Sequence, residues 1–452
     1  MKRLITLFTI LLCNMSYAGI VSEVTIEGNK KTKVFIFHRE LTFHIGDTID
    51  PGDYDTQIKQ SENNLLNTSL FNFASISITD SGKFTKVKIK VTERWYIWPQ
   101  VILSFQDRNF TEWVKTANFS RVDYGVSFSH FNFRGKQERL KLQFKTGFNT
   151  SAGIKYEIPY LTKSLKAGLK IELSYNSQSE VFTNIDSANI MSFTTSDNLL
   201  LESWNGHIEY RRRNNLYFRN YYMIDFKAMK LHNQLIDQRD SYFGGQNNLN
   251  LVTLTYMFKN DHRDSKNYPL VGFYHDLQVQ QSGIGIDKSN MNVTRLTTDY
   301  RHYYFLKSRW YFAYSAYAQA YSSEDVPFFI RDGLGFRHYV RSYEPYVLFG
   351  QLSGLTKALL KFQVLKPRVH TIPYVKAEKF NKLHYAVFLN IFVDAGYVQN
   401  NRGSKSRLNN EFLLGGGVGL DFVTFYDLVF RVEYSINKYK EHGFYLSFVS
   451  PI

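Results

Sequence analysis

The sequence contains a single cysteine, Cys13, among 452 residues. Cys13 ends an apolar run that follows the basic start Met1-Lys2-Arg3 and precedes a short polar stretch up to Ala18. This three-part layout is typical of a secretory signal peptide, and we predict that residues 1–18 are removed by cleavage after Ala18. The mature chain would then lack thiols, which excludes disulfides, cysteine-ligated metals and cysteine nucleophiles.

Long apolar runs are also missing. Beyond the signal segment no run approaches the roughly 18 residues that a membrane helix needs, so a helical span is excluded. Aromatic residues are abundant at 17% of the chain, with 32 Tyr and 38 Phe. A membrane β-barrel accommodates both facts, because lipid-facing positions alternate with polar lumenal ones and aromatic girdles lie at both interfaces. A large soluble β protein is the alternative.

Clusters of basic residues are scarce although the formal net charge is +15. Removal of residues 1–18 leaves 53 basic residues against 40 acidic ones, a charge near +13. The basic residues are dispersed, as in Val87-Lys88-Ile89-Lys90-Val91, and form no stripe or tail. We therefore expect solvent or anionic lipid, not nucleic acid, to face these charges.

Residues 19–96 differ in pattern from the rest of the chain. Val24 and Ile26 alternate with polar neighbours as in a strand, Thr32 can cap a short helix through Leu41, and Pro51 opens a second helix. Two further alternating strands follow. The order strand, helix, helix, strand, strand predicts one small α+β domain with a three-stranded sheet.

From residue 97 to residue 452 one alternating segment follows another, with polar or glycine-containing breaks between them. This length holds about sixteen units of roughly 22 residues, and each strand needs about 9–11 residues to cross a bilayer. The predicted fold is an all-β transmembrane barrel of about sixteen antiparallel strands after one small α+β domain. The barrel must close, because an open sheet edge in hydrocarbon leaves backbone donors and acceptors without partners.

Five short motifs of the N-terminal domain occur in an informative order. They are Ile26-Glu27-Gly28-Asn29, Arg39-Glu40-Leu41, Gly46-Asp47, Leu70-Phe71 and Val91-Thr92-Glu93-Arg94. In this order they resemble a single POTRA domain, the polypeptide-transport-associated module of the BamA/TamA family of outer-membrane assembly barrels. Each motif alone is weak.

Two motifs in the barrel region resemble the same family. Asn132-Phe133-Arg134-Gly135 is similar to an early strand motif, and a central D-x-R-D...P-x-x-G element follows later. The residues of that element are Asp261, Arg263, Asp264, Pro269 and Gly272. When the element is viewed alone, the alternative is an ordinary polar hairpin turn.

A long segment between the eleventh and twelfth predicted strands contains Val340-Arg341-Ser342-Tyr343. It resembles the family's loop that folds back into the lumen, whose tip usually reads V-R-G-[FY]. The resemblance implies that Arg341, with Tyr343 beside it, meets Asp394 in the strand motif that ends at Gly396. The fork of guanidinium donors matches a carboxylate, so one such pair can fix a loop tip to a barrel wall.

Ser342 departs from the family pattern, which has glycine at this position. Its side chain predicts a shifted tip or a looser lock. The alternative for Arg341 is a solvated arginine on an exposed loop.

Barrel closure would join the first and last strands at a seam. A weakly paired seam exposes a backbone edge that can template an incoming strand by β-augmentation. The final strand can equally be the signal by which this protein is itself recognised and inserted. The predicted seam residues are Val101, Leu103, Phe105, Phe444, Leu446 and Phe448.

The resemblance implies a factor that assembles or translocates proteins at the bacterial outer membrane, with its N-terminal domain in the periplasm. The implied partners are unfolded outer-membrane or secreted client proteins, outer-membrane lipids and accessory lipoproteins. We expect no enzyme activity, cofactor or metal, because no nucleophile motif or metal-ligand spacing is found. His338, beside the loop tip, is expected to serve in loop hydrogen bonding. The alternative function is a passive diffusion pore.

Overall fold

The computed structural model divides the chain into two compact units. The first reaches to Tyr96 and includes Asn132–Gln137, and the second contains the remainder from Ile97 onward. The predicted signal segment 1–18 lies outside the residues that the structure describes. The described residues are 19–81, 83–105, 119, 122–162, 166–196, 198–232, 235, 247–284, 291–324, 326–371, 373–374, 382–401, 406–424 and 428–449.

The first unit is an α+β domain. Its elements are β1 (Gly19–Glu27), α1 (Val34–Glu40), β2 (Thr48–Ile49), a 3-10 turn (Pro51–Asp53), α2 (Tyr54–Asn67), β3 (Phe71–Ser81) and β4 (Phe84–Glu93). The sheet order is β2-β1-β4-β3, and only the central β1–β4 pair is parallel. The sheet therefore has four strands and not the predicted three, because the short β2 pairs with the start of β1.

Side-chain alternation gives this sheet one buried face. On β4, Val87 and Ile89 are buried while the lysines between them are exposed. The helices contribute Phe37 and Leu65, both fully buried, to the same core. This burial of apolar side chains is the main source of stability for so small a unit.

The predicted capping role of Thr32 is wrong. Helix α1 begins after Lys33 and has no side-chain cap. The Thr32 hydroxyl instead lies 3.0 Å from the Tyr96 hydroxyl and accepts a hydrogen bond from Asn132 Nδ2 at 2.9 Å. These partners use the oxygen that a capping interaction requires.

The second unit is a transmembrane-type barrel with sixteen strands in one antiparallel sheet, which confirms the predicted number. Its strands are β5 (Ile97–Phe105), β6 (Val122–Phe133), β7 (Glu138–Gly147), β8 (Asn149–Ile158), β9 (Ala167–Gln178), β12 (Leu201–Arg213), β13 (Phe218–Leu231), β14 (Asn248–Asp261), β15 (Gly272–Ser282), β16 (Val293–Lys307), β17 (Trp310–Tyr321), β18 (Leu352–Thr371), β19 (Lys382–Gln399), β20 (Leu413–Thr424), β21 (Val429–Asn437) and β22 (His442–Val449). Two further strands, β10 (Glu180–Ile185) and β11 (Met191–Thr195), form a separate hairpin between β9 and β12 that the sequence did not predict.

The two faces of the barrel wall differ in chemistry. On β19, Ile391 and Val393 are exposed on the outer face, while Phe392 and Asp394, which alternate with them, are buried. The same alternation on the other strands produces an apolar exterior and a polar interior, as a membrane barrel requires. Among the described residues, no helix is long and apolar enough to cross a membrane.

Successive strands run in opposite directions, so the barrel has two distinct rims. We call the end where β5 begins the proximal rim and the opposite end the distal rim. Two connections matter below. The segment 262–271 joins β14 to β15 at the proximal rim, and the segment 322–351 joins β17 to β18 at the distal rim.

Candidate functional site

The distal segment 322–351 carries Arg341 into contact with the inner barrel wall. Arg341 Nε donates to Asp394 Oδ2 at 2.8 Å and Nη2 donates to Oδ1 at 2.6 Å, a bidentate pair. The Arg341 Nη1 atom donates to Glu433 Oε1 at 3.0 Å, and the guanidinium lies 3.5 Å from the ring centre of Phe392. The structure thus brings together the two residues that the motif resemblance pairs.

This ion pair is withdrawn from solvent. Asp394 is fully buried, and Arg341 and Glu433 are nearly so. Lys357 Nζ lies 3.5 Å from Asp394 Oδ2. The positive charges of Arg341 and Lys357 therefore offset the negative charges of the two carboxylates. An unpaired charge in this buried environment would be very unfavourable.

The loop tip packs against positions of the barrel wall that have no side chain. Tyr343 is buried, and its hydroxyl donates to a backbone carbonyl of β20 at 3.5 Å. A Cβ at Gly396 would lie 2.5 Å from Val340 Cγ2, and a Cβ at Gly415 would lie 2.1 Å from the carbonyl oxygen of Arg341. Both glycines are needed because the loop approaches the wall too closely for any side chain.

Ser342 adopts a left-handed backbone conformation with φ +72°, which explains why glycine suits this position. Its hydroxyl donates to the carbonyl of Glu441 at 3.1 Å, and its own carbonyl accepts from Asn437 Nδ2 at 3.1 Å. These bonds offset the strain of a side chain at positive φ. The tip holds its bidentate pair, and the effect of Ser342 on how firmly the loop is held stays a prediction.

Two titratable groups flank the tip. The ring of His338 stacks on Tyr317 at 3.7 Å between ring centres, and its carbonyl accepts the Gly335 N–H at 2.8 Å. Burial lowers the pKa of His338 to about 4, so the ring is neutral at pH 7. Burial also raises the pKa of Glu344 to about 7, with the nearby Glu433 charge adding to the effect.

The central motif forms the framework of the proximal segment 262–271. Arg263 Nε donates to Asp261 Oδ1 at 2.7 Å, and Nη2 donates to Oδ2 at 2.9 Å. Asp264 Oδ1 accepts the backbone N–H groups of Ser265 at 2.8 Å and Leu270 at 3.0 Å. The motif carboxylates thus hold a turn in one conformation.

The other two motif residues shape the end of this turn. Pro269 is buried. Gly272 has φ +101°, and a Cβ there would lie 2.1 Å from the carbonyl oxygen of His262. Only glycine fits where the chain returns into β15.

Sequence reasoning missed Tyr268, which this turn places inside the barrel. Its hydroxyl donates to Asp421 Oδ2 on β20 at 2.7 Å. Its ring lies 4.9 Å from that of Phe388 on β19, and Lys361 Nζ lies 3.9 Å from its centre. A tyrosine directly after the polar run Arg263–Asn267 is the sequence signal that could have indicated this contact. Glu433 was missed as well, because nothing local links it to Arg341.

The Asn132-Phe133-Arg134-Gly135 motif belongs to the first unit. Arg134 and Gly135 both have positive φ, +57° and +75°, so the motif makes a tight turn. The Gly135 carbonyl accepts the Lys33 N–H at 2.9 Å.

The predicted seam residues lie on the two end strands of the sheet. Within the described part of the chain, no backbone pairing joins β5 to β22. Val101 is 85% exposed and Phe444 is 68% exposed, and Leu103 and Leu446 point outward beside them. Phe105 and Phe448 lie on the same strands, but their side chains fall outside the described residues.

An α+β unit followed along the chain by a sixteen-stranded barrel, with a distal loop that contacts the inner wall through Arg341 and Asp394, defines the structural class. The family model described as "POTRA: Surface antigen variable number repeat" matches residues 19–94, and the "Omp85 superfamily domain" matches residues 132–448, more than half of the chain. The chain therefore belongs to the Omp85 superfamily, which confirms the resemblance found in the sequence. A search of curated proteins found no match.

Solved structures show the same fold at low sequence identity. BamA from Haemophilus ducreyi lacking POTRA domains 1–3 has a TM-score of 0.52 at 15% identity, covering 95% of this chain and 84% of that one. CdiB from Acinetobacter baumannii has a TM-score of 0.52 at 13% identity, covering 95% and 74%. CdiB from Escherichia coli has a TM-score of 0.56 at 11% identity, covering 96% and 76%.

Family membership sets the broad function. Omp85 proteins are outer-membrane barrels that insert or secrete proteins and handle outer-membrane or secreted clients. They are assembly factors or transporters, so the chain is not an enzyme.

Proposed function

We propose that this protein inserts or exports client proteins through the seam between β5 and β22, in the bacterial outer membrane and with its first unit in the periplasm. The observation that carries the proposal is a contrast within the described residues: β5 and β22 have no backbone pairing with each other, whereas the neighbouring wall carries a buried ion pair. An unpaired strand edge offers backbone donors and acceptors to an incoming strand.

The physical driving force needs no nucleotide. A client strand that pairs with β5 or β22 satisfies its backbone groups within the bilayer and buries its apolar side chains in lipid. The exposed outer-face residues Val101 and Phe444 mark where such a strand would enter.

The loop lock would keep the rest of the barrel in register while the seam opens. Arg341 ties the distal loop to β19 through Asp394 and to β21 through Glu433. Strand β21 pairs directly with β22. The lock therefore supports the strand next to the seam without closing the seam itself.

The first unit would receive unfolded clients before they reach the barrel. Strands β2 and β3 are the edges of its sheet, and β3 is eleven residues long. Such an edge can bind an extended client segment by adding a strand.

A passive diffusion pore fits the lumen less well. The Arg341 loop tip and the Tyr268 turn both enter the interior from opposite rims. A pore has no need for two such inserted elements.

Site-specific photocrosslinking tests the seam directly. A photoreactive amino acid at Val101 or at Phe444 should crosslink to newly made outer-membrane or secreted proteins in the native host. The matched control is Ile224 on β13, which is exposed on the same outer face but lies far from the seam in strand order. Equal crosslinking at all three positions, or none at the seam, would contradict the proposal.

Depletion followed by outer-membrane proteomics separates the two forms of the proposal. Broad loss of folded, heat-modifiable barrels indicates general insertion, and loss of one or a few proteins indicates dedicated export. An unchanged proteome with altered solute uptake would favour the pore.

A further inference from the structure

The two elements that enter the lumen are joined by an unbroken line of polar contacts. At the proximal end, the Tyr268 hydroxyl donates to Asp421. Asp421 accepts two hydrogen bonds from Arg431, at 2.6 Å from Nε and 3.0 Å from Nη2. Arg431 Nε lies 4.0 Å from Glu433 Oε1, and this same oxygen accepts from Arg341 at the distal loop tip.

Strands β18 and β19 use the same pair of residue types at both contacts: β19 contributes a phenylalanine and β18 contributes a lysine. On β19, Phe388 packs against Tyr268 and Phe392 packs against Arg341. On β18, Lys361 lies over the Tyr268 ring and Lys357 lies beside Asp394. Members of each pair are four positions apart on a strand, so both levels use the same inward face.

Burial makes each contact in this line depend on its neighbours. Asp421 and Asp394 are fully buried, and Glu433 is nearly so. Arg431 is shared between Asp421 and Glu433, and Glu433 is shared between Arg431 and Arg341. Where charges are buried and share partners, moving one leaves another uncompensated.

We propose that Tyr268 and Arg431 are positioning residues for the Arg341 loop tip, so that the proximal turn and the distal loop are seated or released together. The inference deepens the role proposed for the loop tip in client handling. It concerns the position of the tip alone, so it can be tested without a client.

The test uses a single cysteine as a reporter of loop position. In a Cys13→Ser background, Ser342→Cys places one thiol at the tip, where Ser342 is 2% exposed. The protein is reconstituted in lipid vesicles, and the rate of labelling by a membrane-impermeant maleimide is measured. The buried thiol can be labelled only when the loop tip moves away from the barrel wall.

Tyr268→Phe removes the hydroxyl that reaches Asp421 but keeps the ring. We expect it to raise labelling of the Ser342→Cys reporter at least about fivefold, the lower end of typical coupling between sites. Arg431→Lys keeps the charge but loses the bidentate contact, and should also raise the rate. The matched control is Tyr274→Phe, since the buried Tyr274 hydroxyl donates to Asp276 on β15 and neither residue belongs to the line of contacts.

A second reporter separates coupling from general loosening. Ser203→Cys lies on β12 and is 8% exposed, outside the line of contacts. Tyr268→Phe should leave its labelling rate unchanged. Equal acceleration at both reporters, or none at Ser342→Cys, would overturn the proposal.

Reciprocity provides a further check, because coupling between two sites acts equally in both directions. Arg341→Lys should accelerate labelling of a Leu270→Cys reporter in the proximal turn. Coupled labelling with unaffected client assembly would sustain this inference and count against the proposed function, whereas uncoupled labelling with impaired assembly would do the opposite.

Discussion

The wall formed by β18–β21 and the seam formed by β5 and β22 differ in backbone pairing, in buried lumenal contacts and, at β18 and β19, in strand length. Strands β18 and β19 have 20 and 18 residues, whereas β5 and β22 have 9 and 8. The wall carries the buried contacts of Arg341 and Tyr268. The described seam strands have no backbone pairing with each other.

Among the described strands, every other neighbouring pair is hydrogen-bonded, so pairing sets the seam apart but does not single out β18–β21 from the rest of the sheet. Side chains in the lumen make the distinction. They hold the wall beside the seam, and the proposed function requires the seam itself to open to a client strand.

Arg341→Ala should have the largest effect, because it removes the buried contacts that distinguish the wall from the seam. These contacts join the distal loop to β19 and β21. The substitution leaves Asp394 and Glu433 buried without their shared cation, and removal of one partner from such a pair typically costs about 3–5 kcal/mol. We expect a lower unfolding midpoint of the heat-modifiable folded form and impaired client assembly. Arg337→Ala, an exposed arginine of the same loop, is the control and should match the wild type.

Gly415→Ala should displace the tip while leaving every charge in place. Its Cβ would meet the Arg341 carbonyl at 2.1 Å, an overpacking that typically costs about 1–3 kcal/mol. Gly354→Ala on β18 is the matched control, because a Cβ there has nothing within 4 Å. Similar unfolding midpoints for the two variants would show that the tip is not seated on bare backbone.

Glu344→Gln should change how stability depends on pH. The folded-state pKa of Glu344 is raised to about 7 from an ordinary value of 4.5. The folded form therefore binds the proton more tightly, so stability is fully present below about pH 4.5 and falls as pH rises towards 7. Glu344→Gln should remove this decline in denaturant unfolding measured from pH 4 to pH 8. The exposed Glu324→Gln should retain it.

Ser342→Gly should have the smallest effect. Glycine relieves the positive φ but loses the hydroxyl bond to Glu441, and each effect is worth about 1 kcal/mol. We expect an unfolding midpoint close to that of the wild type. Ser342→Ala keeps the strain and loses the bond, so it should be less stable than both. A marked gain in Ser342→Gly would mean that the hydroxyl bond contributes little.

Features governed by local pattern were predictable from the sequence. Alternation of side chains indicated strands and the length of the region gave their number, while resemblance to a known family indicated Asp394 as the partner of Arg341. Thr32 was misjudged because its hydroxyl bonds depend on partners distant in sequence. Contacts across the lumen, such as those of Tyr268 and Glu433, follow from strand register, which local periodicity does not encode.

The hydrogen bond between Tyr268 and Asp421 also has a consequence for folding. Tyr268 and Asp421 are 153 residues apart, and strands β15 to β19 lie between Tyr268 and the strand β20 that carries Asp421. Bringing the ends of so long a segment together is entropically unfavourable, so this bond forms late. A slip of one residue in β20 would turn Asp421 to the outer face and leave the hydroxyl without its acceptor. When Tyr268 is bonded to Asp421, the six consecutive strands from β15 to β20 have therefore been assembled in the correct register.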